Sequence, residues 1–359
     1  MPVGGNFPGT AAELAGSARW HVHQVLPTGR AEVVAMTREA YGRSDFLDHR
    51  IAVPQGAAVA TLDFARITPL FAEAGHLHTS YIFHISHVGS TLLSKALATR
   101  PTVLGLREPQ LLRWLAEIRR DLHEPESRFD QAGYLALLQT VLGLLGRTFE
   151  SGDEVVVKAT SFASNLAGDI LALQPQARAI ALYSRFEPFA ANVLRGKGGW
   201  TDVLTQAPSR MRRLHASLGR TPWRLAGMSH GEVVALNWLC EVTELAAASR
   251  RNAGRVCWIE FDDMMGAGAH AIGEAARFLG IPWGTDDNAR LRASDVLSRY
   301  SKDESRAFGQ DQRRALLAQV SARHADEIAK GLAWLYRACR DHPELACAES
   351  FIQRISAIA

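Results

Sequence analysis

Short apolar runs alternate with amphipathic segments along most of the chain. Five runs are rich in β-branched, aromatic or aliphatic residues and are bounded by polar turns, which is typical of buried strands. These runs are 81–85, 103–106, 155–158, 178–183 and 255–261. Strands that alternate with helices predict a parallel sheet covered by helices on both faces, and we therefore expect an α/β fold.

The segments between these runs carry apolar residues at every third or fourth position, which predicts helices. The first begins near Ser90 or Thr91 and ends before Pro101, because the residue before a proline disfavours helical backbone. The others are expected at 110–121 and 131–147, in a segment that ends at Leu173, in the segment after the polar corner that follows 178–183, and at 232–250, 265–279 and 312–340. The region 196–228 should form a helical insertion with loops.

The N-terminal part of the chain follows a different pattern. Residues 1–18 are rich in Gly, Ala and Pro and are expected to have little order, whereas 20–25 and 31–36 are apolar runs on either side of a Pro-Thr-Gly-Arg turn, which predicts a hairpin. The sequence thus predicts an accessory, β-rich segment at 1–78 and a single α/β domain at 79–359.

Composition limits the classes of partner. The 359 residues are 47% hydrophobic, enough for one large core with a small extension. The 40 basic and 37 acidic residues give a formal charge of +3, which indicates neither a nucleic-acid partner nor a membrane surface and suits a small anionic ligand. The richness in Ala and Arg favours a bacterial origin, and the oligomeric state is left open.

Cysteine spacing and apolar length indicate a cytoplasmic protein. Cys240, Cys257, Cys339 and Cys347 show no spacing typical of a disulfide framework or a zinc site, so we expect reduced thiols. No basic segment followed by an apolar one resembles a signal peptide, and the longest uncharged run, 131–146, is too short to span a bilayer. His21 and His23 lack a third ligand nearby, so no metal is expected.

The turn that joins the first predicted strand of the α/β domain to its helix is the clearest candidate site. It reads Ser86-His87-Val88-Gly89-Ser90-Thr91. A tight turn at a helix start presents free amide N–H groups and the positive end of the helix dipole, which together favour phosphate. The turn lacks the Gly-Lys-Ser/Thr ending of the Walker A loop of nucleotide triphosphatases. The alternative is a glycine-containing turn of any α/β fold.

Charged and hydroxyl side chains follow the other predicted strands. Glu108, Lys158, Ser184 and Arg185 stand at or just after strand ends, and ligands of open α/β sheets bind at that edge. We expect these side chains to approach the turn. The structural alternatives are that Glu108 pairs with Arg107 and that Lys158 pairs with a buried carboxylate such as Asp262.

Four segments resemble sulfotransferases, in the order of that family. The turn has the family's basic residue, one further residue, Gly and two hydroxyl residues; the others are VVVKATSFASNLAGDILALQPQARAIALYSR, WIEFDDMMGAGAHAIGEAARFLGIPW and RYSKD. They span about 81–302 and leave the first 78 residues and the last helix uncovered. The resemblance implies a P-loop NTPase-like sulfotransferase fold and the cosubstrate 3′-phosphoadenosine 5′-phosphosulfate (PAPS).

The resemblance also implies roles for single residues. Glu108 would be the base that takes the acceptor's proton, Lys158 would lie near the transferred sulfonate, and His87 would lie beside the bridging oxygen of the leaving group. The cofactor-binding residues would be Ser86, His87, Val88, Gly89, Ser90, Thr91, Ser184, Arg185, Asn192, Arg299 and Lys302. Asp262 and Asp263 are assigned to architecture, because two carboxylates would repel a phosphosulfate.

One position departs from the family pattern. The arginine that holds the 3′-phosphate falls on Ser184, and Arg185 follows one residue later, where a strand would direct it to the opposite face. The predicted function is transfer of a sulfuryl group from PAPS to a hydroxyl or amine acceptor, which we expect to be a small molecule. The alternatives are a P-loop kinase or nucleotide-binding protein, and a non-catalytic protein of this fold that binds an anion.

Overall fold

The N-terminal part of the chain forms a small antiparallel sheet. The computed structural model describes residues 9–71, 79–297, 299–300, 303–307 and 310–345. The first elements are α1 (Ala11–Gly16), β1 (Trp20–Val25), β2 (Arg30–Ala35), α2 (Arg38–Arg43), β3 (Val59–Asp63), α3 (Phe64–Ile67) and a 3₁₀ turn (Thr68–Phe71). β1 and β2 pair antiparallel, which confirms the predicted hairpin, and β3 adds a third strand that was not predicted.

Order begins earlier than the composition of residues 1–18 predicted. Helix α1 lies within that range, and Thr10 and Glu13 form a capping box at its start. Leu14 of this helix is fully buried in the core. The prediction of little order is therefore wrong for 11–16, where one apolar residue and a good cap are sufficient to fix a short helix.

The rest of the chain forms the main α/β layers. Its elements are β4 (Thr79–His84), α4 (Ser90–Leu97), β5 (Val103–Arg107), α5 (Gln110–Asp121), α6 (Gln131–Leu145), β6 (Glu154–Lys158), α7 (Ala167–Leu173), β7 (Ala179–Tyr183), α8 (Phe186–Leu194), α9 (Lys197–Leu218), α10 (His230–Arg251), β8 (Val256–Glu260), α11 (Phe261–Ala267), α12 (Ala269–Phe278), α13 (Thr285–Ala293), β9 (Arg299–Tyr300), β10 (Asp303–Ala307), α14 (Gln310–Arg323) and α15 (Ala325–Asp341). Two single predicted helices are each divided: 265–279 at Gly268, whose φ is 56°, and 312–340 after Arg323.

Five parallel strands form the central sheet, in the order β5-β6-β4-β7-β8. Every residue of β4, β5 and β7 is buried, because their apolar side chains face helices on both sides. The α/β class, the parallel sheet and the β-rich N-terminal extension are thus as predicted. Because the strands are parallel, their carboxyl ends meet at one edge. Within the ranges given above, no helix combines the length and apolarity needed to cross a membrane.

Arg107 joins the N-terminal layer to the central sheet. It is the last residue of β5 and is 1% exposed, and its guanidinium donates hydrogen bonds to the carbonyl oxygens of Tyr41, Gly42 and Ser44 at 2.6, 2.7 and 2.8 Å. The Leu47 amide donates to the Arg107 carbonyl at 2.7 Å. Burial lowers the pKa of Arg107, and the three carbonyl oxygens take the place of lost water. These bonds hold 41–47 against the carboxyl edge of the sheet.

A buried histidine of β1 should make the fold sensitive to acid. His21 is 2% exposed, and burial, then the nearby His23 and Arg147, lower its pKa to about 3. Below pH 6.5 the unfolded chain binds a proton there that the folded chain does not, so stability falls as the pH falls towards 3. Between pH 7 and pH 5 this group alone should remove about 2 kcal/mol from the free energy of unfolding.

The measurement is urea unfolding of wild type and His21→Phe at both pH values. The variant should lose about 2 kcal/mol less on acidification, whatever its stability at pH 7. His49→Gln, which changes an exposed histidine, is the matched control and should follow wild type. Equal losses in wild type and His21→Phe would contradict the prediction.

Candidate functional site

A cavity of about 260 Å³ lies at the carboxyl edge of the central sheet. The loops after β4, β5 and β6 line it, as topology requires of a site in an open parallel sheet. Nine of the predicted site residues line this cavity: Ser86, His87, Val88, Gly89, Ser90, Thr91, Glu108, Lys158 and Asn192. The structure therefore brings together side chains that are up to 106 positions apart in the sequence, counted from Ser86 to Asn192.

The loop between β4 and α4 has an unusual backbone. Ser86, His87 and Gly89 have φ values of 77°, 51° and 69°, in the left-handed region that only glycine adopts without cost. Helix α4 begins at Ser90, so its first amide groups have no acceptor within the helix. A Cβ on Gly89 would overlap the Phe261 ring, so only glycine fits there. The loop is thus tight enough to turn the helix start towards the cavity.

His84, which the sequence analysis did not single out, holds this loop. The Ser86 amide donates to His84 Nδ1 at 3.1 Å, and His84 Nε2 lies 2.9 Å from the Ala159 carbonyl oxygen. These partners assign the neutral tautomer with the proton on Nε2. The buried His84 ring therefore links the loop 86–89 to Ala159, the residue that follows Lys158. A histidine inside an apolar strand was the signal that could have indicated it.

Asn192 and Thr91 complete the loop. The Asn192 side-chain amide donates to the His87 carbonyl at 2.9 Å, which fastens helix α8 to the loop. Thr91 is buried, and its Oγ1 has no hydrogen-bond partner in the described structure. An unpartnered buried hydroxyl at a helix start is a donor available to an anion. The predicted contact of Asn192 with a nucleotide stays a prediction.

Glu108 and Lys158 form an ion pair that borders the cavity. In a regular strand Glu108 would point away from the face of Arg107, but its φ of 51° breaks this alternation. Its amide donates to the Lys158 carbonyl at 2.7 Å, which extends the pairing of β5 with β6. Lys158 is 1% exposed, so its ammonium has been withdrawn from water and needs this partner.

The partners named in the two structural alternatives are wrong, although Lys158 does pair with a carboxylate. Arg107 turns to the N-terminal layer rather than to Glu108, and Asp262 pairs with Arg313 at 2.7 Å rather than with Lys158. All three non-glycine residues with positive φ in the described structure, Ser86, His87 and Glu108, border the cavity. Such backbone costs about 1–3 kcal/mol per residue and tends to collect at functional sites.

The N-terminal layer contributes two further residues that the sequence analysis missed. Phe46 and Arg50 line the cavity, and the Arg50 guanidinium carbon lies 3.5 Å from the centroid of the Phe46 ring. Lys158 Nζ lies 5.7 Å from the same ring. Arg50 also donates through Nε to Asp48 at 2.8 Å. Nothing in the local sequence indicates these positions, because tertiary docking through Arg107 places them.

Arg313 of α14 is a third missed residue. It lines the cavity and is buried, with its guanidinium carbon 4.6 Å from the centroid of the Phe261 ring. Its Nε donates to Asp262 at 2.7 Å, so the Asp262 carboxylate helps to hold the Arg313 side chain in place. A cation stacked on the ring that packs against Gly89 adds positive charge to the loop side of the cavity.

Two of the predicted residues, Ser184 and Arg185, do not line the cavity. Ser184 is buried, and its carbonyl accepts a hydrogen bond from Trp238 Nε1 at 2.9 Å. Arg185 lines a separate open cleft with Asp262 and Asp263, and its amide donates to Glu260 at 3.3 Å. Burial raises the pKa of Glu260, while Arg185 acts to lower it. Arg299 is the first residue of β9, and Lys302 lies outside the described residues.

No group of three or more His, Cys, Asp or Glu side chains within 9–71, 79–297 and 312–345 is arranged to hold a metal ion. The charged side chains that border the cavity instead combine five cations, Arg50, Arg113, Lys158, Arg195 and Arg313, with two carboxylates, Glu108 and the exposed Asp202. This set favours an anionic ligand together with a group that gives up a proton.

Comparison with known proteins gave matches among solved structures alone, since no protein-family model and no curated protein matches the sequence. The sulfotransferase domain from the curacin biosynthetic pathway is 12% identical, with a TM-score of 0.39, over 68% of this chain and 96% of its own. Sulfotransferase STF9 from Mycobacterium avium is 13% identical, with a TM-score of 0.40, over 72% and 78%. The sulfotransferase domain from the Synechococcus PCC 7002 olefin synthase is 13% identical, with a TM-score of 0.38, over 71% and 97%. These three solved structures, to which this chain is similar, are all sulfotransferases or sulfotransferase domains.

Proposed function

We propose that this protein is a PAPS-dependent sulfotransferase that acts on a hydroxyl or amine of a small molecule. The observation that carries the proposal is that Glu108 and Lys158 line the same cavity as the loop 86–89, which has left-handed backbone. A helix start, a buried ammonium and a carboxylate are the groups that this transfer needs: a cradle for phosphosulfate, a cation for developing charge and a base.

The phosphosulfate end of PAPS fits the residues present. The first amides of α4 have no acceptor within the helix, and the buried Thr91 hydroxyl lacks a partner that a phosphate oxygen would supply. His87 borders the same cavity. For the 3′-phosphate of PAPS, the cavity offers Asn192. It also offers Arg313, a buried cation in its lining that the family pattern did not predict.

When bound, PAPS supplies the sulfuryl group, whose sulfur bonds to the acceptor oxygen or nitrogen as its bond to the 5′-phosphate oxygen breaks. Glu108 takes the proton that the acceptor loses, and its carboxylate is held ready beside the Lys158 ammonium. The amides at the start of α4, with Lys158 and His87, stabilise the negative charge that gathers on the 5′-phosphate. The chain thus acts mainly by positioning and by fixed charge.

We further infer that this reaction takes place in the cytoplasm on a small acceptor, without nucleic acid or membrane. Cys240 and Cys257 are free thiols in the described part of the chain, as suits a reducing compartment. The cavity of about 260 Å³ is of a size for small molecules rather than for a macromolecular surface.

Nucleotide-dependent stability tests the proposal most directly. We expect adenosine 3′,5′-bisphosphate to raise the melting temperature, because a ligand of the native state stabilises it by about 2.7 kcal/mol at 100 times its dissociation constant. Magnesium-ATP should raise it less, since the loop lacks the Walker lysine. Preferential stabilisation by magnesium-ATP would favour a kinase instead, and stabilisation without any transfer to an acceptor panel would favour a non-catalytic anion-binding protein.

Substitution in the loop should weaken nucleotide binding and leave the fold intact. His87→Ala combined with Ser90→Ala removes two side chains that border the cavity, and we expect a loss of about tenfold or more in affinity for adenosine 3′,5′-bisphosphate by calorimetry. Ser94→Ala, in the same helix and away from the cavity, is the control. Unchanged affinity in the double variant would mean that the loop is only a turn.

A further inference from the structure

A second cavity of about 350 Å³ lies among α5, α7, α9 and α10 and shares no lining residue with the first. We call it the arginine cleft, after five of the residues that line it: Arg119, Arg120, Arg212, Arg213 and Arg251. The sulfuryl-transfer proposal assigns it no role. Several buried polar atoms of its side chains nevertheless lack hydrogen-bond partners, which indicates that a ligand binds there.

Arg213 is fixed in the wall of the arginine cleft by a buried network. Its Nε donates to Glu244 at 2.7 Å and its Nη2 donates to Ser164 at 3.1 Å. Glu241, which is 1% exposed, binds Arg210 Nε at 2.6 Å and so holds the network from behind. One edge of the Arg213 guanidinium is thereby occupied, while its buried Nη1 has no hydrogen-bond partner. The side chain is 7% exposed.

Two more buried polar atoms of the arginine cleft lack partners. Thr243 is 7% exposed and its Oγ1 makes no hydrogen bond. Asn165 donates through Nδ2 to the Ala116 carbonyl at 3.1 Å, and its Oδ1 has no partner. A buried polar group without a partner lowers stability, and native proteins hold few of them. Three on one cleft, two of them donors, indicate a ligand that supplies the missing acceptor atoms.

The charge of the arginine cleft defines the class of that ligand. Arg119 pairs with Asp169 at 2.7 Å, and Arg120 and Arg213 pair with Asp121 and Glu244. Neither Arg212 nor Arg251 has an ion-pair partner in the described part of the chain. Glu124, an exposed carboxylate, also lines the cleft without an ion pair among the described residues, so two unpaired arginines face one unpaired carboxylate at the mouth, while unused donors lie in the wall.

We propose that the arginine cleft binds a small oxyanion, the phosphate or sulfate group of a metabolite or the inorganic ion. Arg213 Nη1 and the Thr243 hydroxyl donate to its oxygens, Arg212 and Arg251 neutralise it, and Asn165 Oδ1 accepts from a hydroxyl of the ligand. The 3₁₀ turn Ser161–Leu166 borders both cavities, Ser161 the first and Ser164 the second. A bound anion therefore also fixes the segment that follows Lys158. The proposal does not depend on sulfuryl transfer.

The test is calorimetric titration with inorganic phosphate and with inorganic sulfate, against sodium chloride at equal ionic strength. It is run on wild type and on Ser90→Ala/Thr91→Val, which impairs anion binding in the first cavity. In that second background, Arg212→Gln/Arg251→Gln should weaken the phosphate affinity about tenfold or more. Thr243→Val removes one buried donor at constant shape and should also weaken it. Arg224→Gln/Arg292→Gln removes two exposed arginines that line neither cavity and is the matched control.

Either of two results would overturn the proposal: loss of the whole anion response in Ser90→Ala/Thr91→Val, or cleft variants that bind phosphate as the control does. The two proposals fail separately. If adenosine 3′,5′-bisphosphate does not stabilise the wild type while the cleft variants still lose phosphate binding, the transferase proposal falls and the cleft proposal stands. A phosphate response without a sulfate response would assign the site to phosphate.

Discussion

Replacing Glu108 by Gln should lower kcat by about 10²–10⁴-fold with a nearly constant affinity for adenosine 3′,5′-bisphosphate. Glutamine keeps the size of the side chain and can still accept a hydrogen bond from Lys158. It cannot take the acceptor's proton, so the loss falls on the chemical step. The measurement is transfer of labelled sulfate from PAPS to a panel of small hydroxyl and amine compounds.

The control for Glu108→Gln is Asp202→Asn, which removes an exposed carboxylate from the border of the same cavity. It should retain most of the activity, because the pair with Lys158 is left intact. Melting temperatures of both variants separate a loss of chemistry from a loss of fold. Should Glu108→Gln keep full activity with an identified acceptor, the base is another residue, and His87 is the next candidate.

Gly89→Ala should abolish nucleotide binding and destabilise the protein by about 2–4 kcal/mol. The added Cβ costs about 1 kcal/mol for the left-handed backbone, where φ is 69°. It must also displace the buried Phe261 ring, and forced overpacking in a core costs a further 1–3 kcal/mol or more. Urea unfolding and calorimetric titration with adenosine 3′,5′-bisphosphate measure the two effects.

Gly219→Ala is the matched control for Gly89→Ala. Its φ of 64° imposes the same backbone cost, but no atom lies within 4 Å of the added Cβ. It should lose only about 1 kcal/mol and bind nucleotide as wild type does. Adding Phe261→Ala to Gly89→Ala should recover nucleotide binding in part by making room. Equal losses in the two alanine variants would show that the Phe261 contact does not constrain the loop.

The sheet and the loop could be predicted because their signals are local. A run such as Val155-Val156-Val157 is apolar on both sides and fits only a strand covered by helices on both faces. Gly89, between Val88 and Ser90, is likewise a local signal, because glycine at this position indicates a turn before a helix. The carboxyl-edge rule for parallel sheets then brings Glu108 and Lys158 to this loop without any knowledge of the side-chain contacts.

The remaining residues of the cavity depend on tertiary contacts that no local pattern encodes. Phe46 and Arg50 enter because Arg107 captures three carbonyl groups of a preceding loop, and Arg313 enters from a helix near the end of the chain. The turn of Glu108 towards Lys158 depends on a single dihedral angle, which the sequence Arg-Glu-Pro does not specify. Arg185 was predicted to approach the cavity, but the carboxylate of Glu260 holds its amide beside a different cleft.

The docking of the N-terminal layer through Arg107 has a consequence for how new specificities can arise. Phe46 and Arg50 border the cavity together with Glu108, yet they belong to a stretch of chain separate from the loop 86–89, for which we propose the contact with phosphate. Mutations in that stretch can reshape the pocket for a different acceptor while donor recognition is inherited unchanged. Directed evolution towards a new acceptor can therefore confine its libraries to the neighbourhood of these two positions.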